Sequence, residues 1–240
     1  MHESSIAPGA HYRVPAFYLS CAEQLPENIP GRPLLDRLLD GGVAPQCVVF
    51  ITLQPSLVSP VLVCMAVSEL GARIQRILSL QGLDTGLGDQ LSQRVQVLQH
   101  YLLDRRPATS IELQLCTGLP ADTYRQLGHS LQDLRNEGVL LICLDRTPAD
   151  WRDADYRSPH DGYWRELMDR WVDEEQWQQA IKLSDKSGSQ VTTVQSSVSN
   201  ASLCLMHAAF ALGGLCKPQR LFGYGLDDQD RALAGLGWMR

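Results

Sequence analysis

Residues 110–127 read Ser110-Ile-Glu-Leu-Gln-Leu-Cys-Thr-Gly118-Leu119-Pro120-Ala-Asp-Thr123-Tyr124-Arg-Gln-Leu127, and the pattern runs on through Leu131 and Leu134 to Gly138-Val139-Leu140. Thr109-x-x-Glu112 fits a capping box, in which a hydroxyl and a carboxylate satisfy free N–H groups at a helix start. Ile111, Leu113 and Leu115 then supply core contacts for a short helix. Gly118 suits a sharp turn. Pro120 suits the first turn of a second, longer helix, where its missing N–H costs nothing. Tyr124, Leu127, Leu131 and Leu134 share one face of that helix. Val139–Leu144 reads as an apolar strand leaving it.

Upstream, Leu91, Val95, Leu98, Leu102 and Leu103 give one apolar helix face, closed by Arg105-Arg106-Pro107. Gln81–Gln90, with Gly82, Gly86 and Gly88, reads as a linker. Cys47-Val-Val-Phe-Ile-Thr-Leu53 is the strongest strand signal and predicts burial on both faces. Pro60 to Leu78 reads as one long buried helix with Gly71 its weak point. Leu34, Leu35, Leu38 and Leu39 predict a short helix, and residues 13–20 an extended segment that Pro15 places at a sheet edge. Downstream, Trp164, Leu167, Met168 and Trp171 form a helix stripe, and Ala201–Leu215 an apolar helix around a core His207. Residues 232–236 suggest a short terminal helix.

The chain has 240 residues, 44% of them hydrophobic, enough for one large domain or two small ones. No run of about 18 apolar residues occurs, which predicts no membrane span. The N-terminus lacks a secretory pattern. Seven scattered cysteines, with no C-x-x-C pair, read as buried thiols in a reducing compartment. Cytoplasm is the expected address. A net charge of −6 disfavours broad, non-specific attachment to nucleic acid.

Gly118-Leu119-x-x-x-Thr123-Tyr124 followed by Leu127 and Leu131 resembles the G-L-x-x-x-T-V-x-x-x-L-x-x-x-L pattern of winged helix-turn-helix regulators. The resemblance implies a mainly α fold with a few strands (α+β). A winged helix-turn-helix module at 91–147 would follow a small α/β or helical layer at 1–80 and the linker at 81–90. A helical C-terminal region would occupy 148–240. It also implies that helix 120–136 reads the DNA major groove through Asp122, Thr123, Arg125, Gln126 and His129. Arg105 and Arg106 would hold phosphates.

The expected function is a sequence-specific DNA-binding regulator or replication accessory factor, with double-stranded DNA and a protein partner or second copy as its partners. The alternative is an adaptor that uses the same module for protein contacts. It is favoured by the net charge and by the acidic, tryptophan-bearing 150–175 segment. No catalytic set, metal site or cofactor is assigned. Ser56 and Ser59 follow a strand but lack a G-x-S-x-G frame. His160 with Asp150, Asp153 and Asp155 matches no metal spacing.

Overall fold

The computed structural model describes residues 13–21, 45–54, 56–64, 68–103, 109–117, 119–146, 205–226 and 232–239. The expected helix at 34–39, the tryptophan stripe and Arg105 and Arg106 lie outside them.

The period-two alternation of apolar side chains in the centre of the chain builds a sheet. Its strands are β1 (Ala16–Cys21), β2 (Cys47–Leu53), β3 (Val61–Cys64), β4 (Gly86–Gly88), β5 (Thr109–Leu115), β6 (Val139–Arg146), β7 (Gln219–Leu226) and β8 (Ala232–Trp238). They join in the order β4-β3-β5-β2-β6-β1-β8-β7. The middle four are parallel, with Val49 of β2 opposite both Ile111 of β5 and Leu141 of β6. Antiparallel strands flank them, β3 against β5 and β8 against β1.

Helices cover both faces, as a buried parallel sheet requires. Helix α1 (Glu69–Leu80), helix α3 (Ala121–Leu131) and the helical stretch α4 (205–212) lie on one face. There Ile74, Leu78, Tyr124, Leu127 and Phe210 pack on Val49, Ile51, Leu113 and Leu141. Helix α2 (Gln93–Leu103) covers the other face, where Val95 and Leu98 join Val48, Phe50, Leu140 and Ile142. Each such side chain, fully buried, contributes about 1.5–3 kcal/mol of transfer free energy.

The eight-stranded sheet corrects the winged-helix expectation. The molecule is a sheet-dominated α/β fold, not a mainly α one. Residues 109–115, expected as a helix, are a strand hydrogen-bonded to β2 along all seven residues. Ile111, Leu113 and Leu115 therefore bury one face and Ser110 and Glu112 the other. The expected helix at 60–78 is β3 followed by α1, whose N-cap Ser68 accepts from the Gly71 N–H at 3.0 Å. The linker range 81–90 carries β4, the N-terminal extended segment lies inside the sheet, and residues 232–236 belong to β8. Five expectations hold. They are the α2 helix, the α3 helix with its continuation as a 3-10 turn (Gln132–Glu137), strand β2, strand β6 and, over its described residues, the apolar α4 helix with its buried His207. Gly138, at φ 83°, ends the turn in the left-handed conformation.

Candidate functional site

The four parallel strands end on one side of the molecule, and polar side chains concentrate there. Thr52, near the end of β2, is buried and donates to Glu112 Oε1 of β5 at 2.8 Å. The other oxygen, Oε2, accepts the Ser92 N–H at 2.6 Å, just before α2 begins. A fully buried carboxylate thus meets the positive end of a helix, the favourable arrangement for its charge. Ser92 itself accepts the Val95 N–H through its hydroxyl, closing the first turn of α2. Glu112 therefore does cap a helix, although not the one the local sequence suggested.

A second group sits on β6 and β1. Asp145, 3% exposed, accepts from the Tyr18 hydroxyl at 2.8 Å. Its main-chain carbonyl accepts from Arg94 Nη2, on the first turn of α2, at 2.5 Å. Arg94 is half-buried, so one cation stands beside the ends of β6 and β1. Cys143, one pleat earlier, is buried. Desolvation and then the charge of Asp145 push its thiol up, which keeps it protonated. Among the described residues no group of three or more His, Cys, Asp or Glu side chains is placed to hold a metal ion.

The topology makes this end of the sheet special. β2 is followed in the chain by β3, on the β5 flank, while β6 is followed by β7, at the opposite edge. In the order of the described strands, the strands that follow β2 and β6 thus lie on opposite sides of this adjacent pair. Ligands of open α/β sheets sit at such points, in a crevice beyond the carboxyl ends of the strands. Thr52 lies near the end of β2 on the α2 face, and Asp145 near the end of β6 on the opposite face.

The residues expected to read DNA are distributed differently. Asp122, Gln126 and His129 are exposed and Thr123 is half-buried. Arg125 is paired with Asp122, one turn back on the same helix. Helix α3 lies within the covering layer, its buried face on the sheet. Gln81 at the end of α1 bonds to its Ser130 at 2.7 Å, and Gly128 abuts the backbone of Ala208 in α4. α3 is thus flanked on both sides by helices of the same layer. Sequence reasoning missed Tyr18, Thr52, Arg94, Glu112 and Asp145. Thr52 and Glu112 were visible as polar interruptions of apolar strands.

No family model matches the chain, and no curated protein does. A solved structure does. The fold is similar to that in "Crystal structure of uncharacterized protein JW3007 from Escherichia coli K12", with a TM-score of 0.64 and 14% identity. The match covers 94% of this chain and 99% of that one. It establishes a fold in common and, with the single eight-stranded sheet, excludes a winged helix.

Proposed function

We propose that this protein binds a small anionic molecule in the crevice between the carboxyl ends of β2 and β6, with Arg94 as the cation that receives it. The divergence of the chain at these two strands carries the reading. Arg94 is the group suited to the anion, because a guanidinium recognises carboxylate or phosphate through a planar fork. The amino end of α2 is not a second anion site, since Glu112 already fills it. Tyr18 and Asp145, buried and bonded to each other, brace the end of β6 whose Asp145 carbonyl holds Arg94.

Against the DNA-binding reading stand Asp122 of α3, which pairs with Arg125, and the exposed Asp133 of the 3-10 turn, since both add negative charge beside the residues expected to read bases. A thermal-shift screen of nucleotides, sugar phosphates and short carboxylic acids tests the proposal. The expected result is stabilisation of several degrees by one anionic class. Arg94→Gln should abolish that shift while leaving the circular dichroism spectrum unchanged. A screen in which no anion raises Tm, or a shift indifferent to Arg94→Gln, overturns the reading. A selected duplex whose binding is lost in Arg125→Ala would restore the DNA reading in its place.

A further inference from the structure

At the β4 edge of the sheet, far along the order from β1, α1 and the segment after it enclose an open groove of about 600 Å³. Its lining includes Ser59, Gln75, Arg76, Asp84, Thr85 and Gly86. Most of these are solvent-exposed, so the groove is a surface trough and not an enclosed chamber. The lining is mainly polar, but exposed apolar residues adjoin it in the chain. Val58 is 98% exposed, Leu80 83% and Leu87 73%. Each is the chain neighbour of a lining residue, namely Ser59, Ser79 and Gly86. They are three of the four large hydrophobic side chains exposed among the described residues. Scattered singly, such residues need no explanation; three that each adjoin a lining residue of one trough are what a contact surface beside it would use.

The charges say what kind of contact. Arg76 and Asp84 line the same trough, yet among the described residues neither makes an ion pair, with the other or elsewhere. A surface that carries one unpaired cation and one unpaired anion is complementary to itself. A two-fold axis through it sets each Arg76 against the other copy's Asp84, the reciprocal pattern of an isologous interface. Each chain also carries a net charge of −6, so two copies repel at long range and need such pairs to associate. In addition, β4 closes the described sheet, pairing there with β3 alone, so its outer backbone edge faces the same partner.

We propose that a second copy of this chain occupies the groove, forming a two-fold dimer through α1 and β4. Leu80, Leu87 and Val58 form its apolar centre, and two Arg76–Asp84 pairs fix its register. The dimer is independent of the ligand crevice proposed above, and the two stand or fall separately.

Sedimentation velocity over a concentration series, roughly micromolar to hundreds of micromolar, tests it on the full chain. The wild type should pass from monomer to dimer. Leu87→Asp should leave it monomeric. Arg76→Asp and Asp84→Arg should each weaken association about tenfold or more, because like charges then face each other across the axis. The double variant, Arg76→Asp with Asp84→Arg, should recover most of the loss. All three positions are on the surface, and an unchanged Tm certifies each fold. A wild type that stays monomeric throughout overturns the proposal, and so does a dimer indifferent to Leu87→Asp. Single reversals that weaken the dimer without rescue by the double variant would overturn the two-fold pairing.

Discussion

Arg135 is the most consequential single side chain in the molecule. It is fully buried and donates to three main-chain carbonyls: Val14 at 2.8 Å, Leu212 at 2.9 Å and Trp238 at 2.6 Å. Those carbonyls precede β1, end α4 and end β8, so one guanidinium joins segments from three parts of the chain. Burial, reinforced by the nearby Arg13, lowers its pKa to about 10, and it remains charged at neutral pH. Arg135→Met keeps the apolar stem but orphans three acceptors. We expect it to cost at least about 3 kcal/mol, read as a lower urea midpoint. The buried thiols make a second expectation. Desolvation and then Cys64 push Cys47 up from 9.0 to about 11, and Cys143 is raised as well. Above pH 9 the unfolded chain releases these protons while the folded one holds them. Stability should therefore fall as pH rises from about 9 to about 11. The decline of Tm over that window should be shallower in Cys47→Ala/Cys143→Ala; an equal slope would assign it to other groups.

Elements meet at contacts that tolerate no added volume. Helices α3 and α4 cross at Gly128, where a Cβ would lie 2.3 Å from the Ala208 carbonyl oxygen and 2.9 Å from the Ala211 methyl. Backbone cannot yield as a flexible side chain does. Gly128→Ala should destabilise by about 1–3 kcal/mol through overpacking, despite the better helix propensity of alanine. A rise in thermal stability would show instead that the two helices separate freely. The join between β5 and α2 is polar. Glu112 ties Thr52 of β2 to the Ser92 amide, so strand, strand and helix meet at one carboxylate.

At the scale of the whole molecule, the sheet is made from distant parts of the chain. β1 pairs with β6 on one side and with β8 on the other, Tyr18 standing opposite both Cys143 and Leu236. The last strand is therefore structural. Truncation before residue 232 would expose an edge of β1, remove the Trp238 carbonyl from Arg135 and uncover the apolar face beneath Trp238. Exposed edges and apolar faces promote aggregation. The truncated chain should be recovered mainly as insoluble protein, and a soluble, cooperatively melting product would refute this role for β8. No helix among the described residues is long and apolar enough to cross a membrane, in keeping with the absence of a long apolar run.

The local pattern determined the parts whose stabilisation is local. Cys47–Leu53, apolar at nearly every position, is a strand buried on both faces. Tyr124, Leu127 and Leu131 at helical spacing make α3, and Gly138 ends its extension. Residues 109–115 also alternate with period two, a strand signal, but Thr109 and Glu112 match a capping box equally well. The choice went to β2, whose unpaired edge offers all seven residues a ladder. The same holds for 232–238, whose small and apolar residues gain a partner only when β1 is in place. The polar pairs of the central strands were illegible for the same reason. Tyr18 and Asp145 are 127 positions apart, as are Thr52 and Glu112 by 60. Only the pairing of strands sets them side by side, because backbone hydrogen bonds between strands depend on where a segment lies and not on its neighbours in sequence.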